Sequence, residues 1–184
     1  MIVIFFFMQL VLVNISAMLQ GGIMKDIFKV AMLQMERSSD INNNIKKGIK
    51  FCKNAKLMGA DIAVFPEMWS NGYEILFRGL LKNQKDIDMN KVKRWQDKAI
   101  DDSSEYITTF INLAKQLEMA IAITYLEKND TGKPKNTVMI IDRKGNAILK
   151  YSKVHTVDFK TEFFTEPGTE FKTAILDYGE GKVN

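Results

Sequence analysis

The sequence predicts an α/β fold with an added antiparallel part, and three patterns support this prediction. Strand-like and helix-like segments alternate between residues 28 and 65, in the order of a βαβ unit. A second helical pattern and a strongly apolar strand follow at residues 102–126. Two more apolar segments flank the tight turn at residues 143–146 (RKGN), which is typical of a β-hairpin.

The βαβ unit begins with residues 28–35 (FKVAMLQM), which alternate as a strand does. Ser39 or Asp40 can cap the following helix, and Gly59 can end it in a left-handed conformation. The apolar residues of this helix recur at helical spacing and are Ile41, Ile45, Ile49, Cys52 and Ala55. Residues 61–65 (DIAVF) then predict a short strand parallel to the first, joined by a right-handed crossover.

The later elements follow the same reasoning. Residues 74–98 are charged with unevenly spaced apolar positions, so we expect loop and a short helix there. Asp102 or Ser103 is the predicted cap of a second long helix, and residues 119–126 form the next strand. The apolar face of that helix comprises Ile107, Phe110, Ile111, Ala114 and Leu117. Beyond the hairpin, residues 173–177 predict a further strand.

Composition excludes several classes of function. The chain has 26 Lys+Arg against 22 Asp+Glu, interspersed throughout, so the net charge of +4 makes nucleic-acid binding a weak hypothesis. One cysteine excludes an internal disulfide framework and any multi-cysteine zinc site. Because there is also one histidine, we expect no metal site built from protein side chains alone. We also expect no cofactor.

The apolar segment at residues 1–23 has three possible explanations. Its strict apolar run, residues 2–13, is shorter than the ~20 residues of a membrane span. A secretory signal begins with basic residues, but no Lys or Arg precedes Lys25 in this chain. Residues 20–24 (QGGIM) fit a ribosome-binding site followed by a start codon, so we favour a mis-assigned start over a signal or membrane anchor. The domain then comprises residues 24–184, and we expect it in the cytoplasm.

Glu67 is the first candidate for chemistry. It lies just beyond a predicted parallel strand, where α/β folds place their ligands. Its neighbours Phe65, Met68 and Trp69 are apolar, so we expect them to shield the carboxylate from water, which suits a general base near neutral pH. The alternative is an ordinary surface glutamate.

Lys153 is the second candidate, because it follows the last hairpin strand and its ammonium could stabilise an oxyanion. His155 could act as an acid or base, but a hydrogen-bonded structural role is favoured. Cys52 invites a role as nucleophile. Its place on the apolar stripe of the first helix predicts a buried core residue instead.

Several segments, taken in order, resemble the carbon–nitrogen hydrolase (nitrilase) superfamily. They are residues 28–35, 59–73 (GADIAVFPEMWSNGY), 120–128 (AIAITYLEK) and 136–156 (NTVMIIDRKGNAILKYSKVHT). The resemblance implies a four-layer αββα sandwich with a Glu-Lys-Cys triad, commonly assembled as homo-oligomers. The implied reaction is hydrolysis of a small amide, N-carbamoyl compound or nitrile through a cysteine thioester.

Within this resemblance, Glu67 matches the general base and Lys153 the catalytic lysine. Glu162 is the best match for a further glutamate that orients the lysine and the nucleophile, with Glu166 as the alternative, and Tyr73 resembles a residue lining the substrate pocket. In the family the cysteine nucleophile follows the lysine, but no cysteine follows Lys153 here. We therefore expect the N-terminal part of a sandwich incomplete at its C-terminus, inactive by itself. The alternative is a non-catalytic interaction or regulatory module on the same scaffold.

Overall fold

The computed structural model describes residues 10–15, 27–73, 87–130, 132–157, 160–179 and 181–183. In chain order the elements are β1 (Leu10–Ile15), β2 (Phe28–Leu33), α1 (Ile41–Leu57), β3 (Ile62–Val64), α2 (Met89–Gln96), α3 (Glu105–Leu117), β4 (Ala120–Glu127), β5 (Lys135–Ile141), β6 (Ala147–Ser152), a 3₁₀-helix (Lys160–Phe164), β7 (Leu176–Asp177) and β8 (Lys182–Val183). Strands β1 to β6 form one sheet in sequence order, and β7 pairs with β8 in a second, two-stranded sheet. The α/β class is confirmed.

The centre of the large sheet is parallel and its flanks are antiparallel. Strand β2 pairs in parallel with β3, and β3 with β4, which confirms the predicted βαβ unit. Strands β4, β5 and β6 form an antiparallel meander, which confirms the predicted hairpin. As a result, one edge of the sheet carries the carboxyl ends of β3, β4 and β6 together with the start of β5.

Helix α1 begins and ends as its sequence predicts. The Asp40 side chain accepts a hydrogen bond from the backbone N–H of Asn42, and Gly59 has a φ of +77° just past the helix. Helix α3 begins later than predicted, because its cap is Ser104 rather than Asp102 or Ser103. Ser103 instead donates its backbone N–H and its hydroxyl to the Asp101 carboxylate, in a separate turn before the helix.

Helices α1 and α3 cover one face of the sheet and form the main core. Their contact is close at Gly48, where an added Cβ would lie 2.8 Å from the rings of Phe110 and Phe65. Cys52 belongs to this core, with 0% of its surface exposed, and burial raises the pKa of its thiol. The prediction that Cys52 is a core residue is therefore confirmed.

The opposite face of the sheet carries a second apolar cluster. Its buried members are Ile62, Ala120, Ala122 and Leu176, with Val138 among the partly buried residues packed against them. Leu176 comes from β7, so the small β7–β8 sheet packs on this face. The strand predicted at residues 173–177 is shorter than expected and comprises Leu176–Asp177 alone.

The remaining predictions concern regions described only in part. Within residues 74–98 the structure gives helix α2, and residues 74–86 lie outside the described residues. Within residues 1–23 it gives β1, which pairs antiparallel with β2. The leader hypothesis for residues 1–23 stays a prediction. Across the described ranges, every helix is too short or too polar to cross a bilayer.

Candidate active site

Four polar side chains meet where β3 and β6 end. The Lys153 Nζ lies 3.1 Å from the Glu67 Oε1 and 2.7 Å from the Glu162 Oε1. The Tyr73 hydroxyl donates to the same Glu162 Oε1 at 2.5 Å. Residues separated by 86 positions in the chain, Glu67 and Lys153, are thus brought into direct contact.

Glu67 is held by a loop that is bonded to β4. After β3 the chain continues at Phe65, whose N–H donates to the Ala122 carbonyl at 3.0 Å. The Thr124 hydroxyl then donates to the Pro66 carbonyl and accepts the Trp69 N–H. Between these anchors Met68 adopts a positive φ of 55°, an unfavourable conformation for a bulky residue. The side chain of Glu67 is therefore presented from a fixed turn.

Lys153 is fixed through its own backbone. Its N–H donates to the Asn136 carbonyl at 2.8 Å, and its carbonyl accepts the Gly168 N–H at 2.9 Å. Gly168 approaches β6 so closely that an added Cβ would lie 2.2 Å from the Ser152 carbonyl oxygen. Only glycine fits there, and this contact fastens the following loop against the lysine.

Glu162 lies on the 3₁₀-helix, in a segment attached to neighbouring loops. The Lys133 Nζ donates to the Phe163 carbonyl, and the Gln96 side chain donates to the Phe164 carbonyl. The second carboxylate oxygen of Glu162, Oε2, accepts the Val157 N–H at 2.9 Å. Both oxygens of this buried glutamate are therefore occupied by donors.

Asn136 completes the cluster and was missed by sequence reasoning. Its Nδ2 donates to Glu67 Oε1 at 2.8 Å and to the Tyr73 hydroxyl at 2.8 Å, and lies 3.4 Å from Glu162 Oε1. The available signal was a polar residue at the start of the hairpin strand. In an antiparallel meander that start lies at the same edge as the ends of β4 and β6.

The electrostatics of the cluster follow from its two carboxylates and one amine. Burial alone would raise the pKa of Glu162, but hydrogen bonds from Lys153 and Tyr73 outweigh it and hold this pKa below its usual value. Partial burial would lower the pKa of Lys153, and the hydrogen bonds to Glu162 and Glu67 raise it above the ordinary lysine value. Burial and the adjacent carboxylate of Glu162 raise the pKa of Tyr73. The stable state is therefore anionic Glu162, cationic Lys153 and neutral Tyr73.

The cluster borders a cavity of about 260 Å³ lined by Glu67, Asn136, Val138, Tyr151 and Lys153 together with Phe65, Thr124 and Thr137. The predicted shielding of Glu67 is wrong, because half of its side chain (50%) is exposed while Glu162 is only 7% exposed. Its apolar neighbours Met68 and Trp69 turn into the protein, at 0% and 1% exposure, and leave the carboxylate to the cavity.

The other sequence candidates lie apart from this cluster. Glu166 accepts from the Asn129 side chain at 3.0 Å, so the contact with Lys153 falls to Glu162. His155 is exposed, and its ring lies 5.8 Å from the ring of Phe171. Cys52 lies in the core under the helices and is not one of the described residues that line the cavity.

The curated proteins to which the chain is similar include an omega-amidase and a formamidase. It is 22% identical over 159 residues to an omega-amidase of Homo sapiens, covering 82% of this chain and 51% of that protein. It is 28% identical over 153 residues to a formamidase of Bacillus thuringiensis, covering 73% of this chain and 39% of that protein. The chain thus spans about half the length, or less, of the curated relatives it matches.

Solved structures support the same fold. An amidase from Nesterenkonia sp. superposes with a TM-score of 0.57 at 17% identity, covering 84% of this chain and 53% of that one. An N-terminal amidase with a Gln-Val peptide gives a TM-score of 0.59 at 18% identity, covering 77% and 31%. The profile of the carbon–nitrogen hydrolase family matches residues 29–183. The chain therefore belongs to the carbon–nitrogen hydrolase family.

Proposed function

We propose that this chain supplies the glutamate and lysine side of a hydrolase centre that cleaves the C–N bond of a small, non-peptide amide, N-carbamoyl compound or nitrile. The observation that carries the proposal is the direct contact of Lys153 Nζ with Glu67 and Glu162 beside a cavity. Glu67 is the half-exposed member, so its carboxylate can reach a bound molecule. Glu162 is buried and serves to hold Lys153.

The nucleophile in this proposal is a cysteine from protein beyond the 184 residues. The single cysteine of the chain, Cys52, is buried in the core and its raised pKa disfavours the thiolate. The lengths of the relatives agree, since the chain covers 51% of the omega-amidase. We propose that the 184 residues alone do not turn over an amide or nitrile.

For an amide substrate, Glu67 takes the thiol proton and the resulting thiolate attacks the carbonyl carbon. The carbonyl oxygen becomes an oxyanion, which the ammonium of Lys153 stabilises. The C–N bond then breaks, the departing nitrogen takes the proton from Glu67, and a thioester remains. Glu67 next removes a proton from water, whose hydroxide attacks the thioester. Collapse releases the carboxylic acid, and the proton on Glu67 restores the thiol.

The test is the coding DNA past codon 184, followed by an assay of ammonia release from small amides. We expect a continuation that encodes a cysteine, and a completed protein that is active. The 184-residue chain is the matched control and should be silent. The proposal is refuted if this chain alone turns over a substrate. It is also refuted if the completed, folded protein hydrolyses no amide, N-carbamoyl compound or nitrile.

The alternative is a non-catalytic module on the same scaffold, which interacts with or regulates a partner. The burial of the single cysteine favours it over a self-sufficient enzyme. A gene that ends at codon 184, together with a soluble and cooperatively folded chain, would support the module.

A further inference from the structure

We infer that Asn136 is a positioning residue that fixes one oxygen of Glu67 and leaves the other as the proton acceptor. This inference rests on the proposed function for its chemical meaning, although the geometry stands by itself. Asn136 lies at the second position of β5, on the strand next to the end of β6.

The hydrogen-bond inventory of Asn136 supports this role. A side-chain amide nitrogen carries two hydrogens, and two acceptors lie at 2.8 Å: the Glu67 Oε1 and the Tyr73 hydroxyl. The Glu162 Oε1, at 3.4 Å, is too distant to compete with them. Both hydrogens are thus used, one toward the glutamate that reaches the cavity and one toward the tyrosine that bonds Glu162.

Glu67 consequently has two inequivalent oxygens. Its Oε1 accepts from both Asn136 and Lys153. Its Oε2 has no hydrogen-bond partner among the described residues, and the side chain is half exposed beside the cavity. An oxygen already bonded to an ammonium and an amide is the poorer base, so Oε2 is the atom that accepts a proton from a thiol or from water.

Asn136 also contacts both partners of the Lys153–Glu67 ion pair. Its backbone carbonyl accepts the Lys153 N–H while its amide holds Glu67, so one residue sets both partners of the ion pair. The side chain is shielded, with the residue only 6% exposed, so water cannot easily replace its bonds. Loss of the amide should therefore release Glu67 toward solvent and away from Lys153.

The test measures the rate of Lys153 acetylation in the 184-residue chain as a function of pH by mass spectrometry. Because only the neutral amine reacts, this pH dependence gives the pKa of Lys153. Glu67→Gln should lower the pKa of Lys153 by removing one carboxylate. Asn136→Leu, which is similar in size but has no donor, should lower it as well. Asn129→Leu is the matched control and should leave it unchanged, since Asn129 bonds Glu166 instead.

A double variant distinguishes positioning from a direct effect. If Asn136 acts through Glu67, then Asn136→Leu combined with Glu67→Gln shifts the pKa of Lys153 no further than Glu67→Gln alone. The inference is overturned if the two substitutions shift the pKa of Lys153 additively. It is also overturned if Glu67→Gln lowers this pKa and Asn136→Leu leaves it unchanged. If Glu67→Gln itself has no effect, the ion pair is absent in solution and the proposed function also fails. Asn136→Ser, smaller and polar, replaces the leucine variant if that one does not fold.

Activity provides a separate readout in the protein completed by its cysteine-bearing segment. Asn136→Leu should lower kcat about 100-fold with KM little changed, because a displaced base impairs the chemical step more than binding. An unchanged kcat overturns the inference. If the completed wild-type protein is silent, the proposed function fails, and the acetylation result still decides the role of Asn136.

Discussion

Replacing Glu162 by glutamine should destabilise the fold, and the contacts explain why so conservative a change matters. Among the described residues, the three close neighbours of this carboxylate are all donors: Tyr73 and Lys153 at Oε1, and the Val157 N–H at Oε2. Glutamine has only one acceptor oxygen, and its other end is itself a donor. In either orientation at least one of these partly buried donors faces an NH₂ group.

The magnitude follows from these contacts. A fully buried donor without an acceptor costs about 1–3 kcal/mol, and since the donors to Glu162 are only partly buried, the lower end of about 1 kcal/mol applies. The lost charge attraction adds less than about 1 kcal/mol, because Lys153 is 35% exposed and keeps Glu67 as a partner. We therefore expect Glu162→Gln to reduce the free energy of unfolding by about 1–2 kcal/mol at pH 7.

The assay is urea unfolding followed by the fluorescence of the two buried tryptophans, Trp69 and Trp95. Glu166→Gln is the matched control, since Glu166 is half-buried and, among the described residues, its side chain accepts a hydrogen bond from Asn129 at Oε2. Its effect should stay within about 0.5 kcal/mol. An equal loss in the two variants, or no loss in Glu162→Gln, would refute the reasoning.

The same variant predicts a pH dependence. Because the folded pKa of Glu162 is lowered, its contribution to stability is present above the unfolded value of about 4.3 and is lost as the pH falls through the folded value. The difference in the free energy of unfolding between wild type and Glu162→Gln should therefore become smaller below pH ~4. A difference that widens there would contradict the assigned sign.

Four further predictions test the core and the site. Cys52→Ala should change stability by only about 1 kcal/mol, and the native thiol should resist iodoacetamide when followed by mass spectrometry. Gly48→Ala should destabilise by about 1–2 kcal/mol in urea unfolding, because overpacking against Phe110 exceeds the gain in helix propensity. Gly168→Ala should cost about 2–3 kcal/mol by the same measurement, since its Cβ would meet a backbone carbonyl that cannot move aside. In the completed enzyme, Lys153→Ala should lower kcat about 10²–10³-fold in an ammonia-release assay. A smaller decrease in kcat would contradict the role of Lys153 in stabilising the oxyanion.

Local patterns predicted the elements whose side chains alternate or recur regularly. Helix α1 followed from apolar spacing, and its cap Asp40 followed as one of two residues able to bond a free N–H. The cap of α3 did not, because Asp101, Ser103 and Ser104 are all capable caps and their mutual hydrogen bonds decide which one is used. Short-range competition of this kind is invisible to periodicity.

The candidate site was predictable in its charged residues and not in its arrangement. Glu67 and Lys153 could be selected because each follows a strand that ends at the same edge. The exposure of Glu67 depends on the loop turning at Met68, and the role of Asn136 depends on strand register. Both are tertiary features, so sequence spacing alone could not supply them.

The pairing of one amine with two carboxylates also limits what that amine can do. A lysine whose pKa lies above the ordinary value stays protonated throughout the neutral range and has no free lone pair there. Lys153 should therefore be a poor partner for aldehydes, and pyridoxal phosphate with borohydride should label other lysines in preference to it. The two carboxylates therefore keep Lys153 positively charged and disfavour imine formation at its amine.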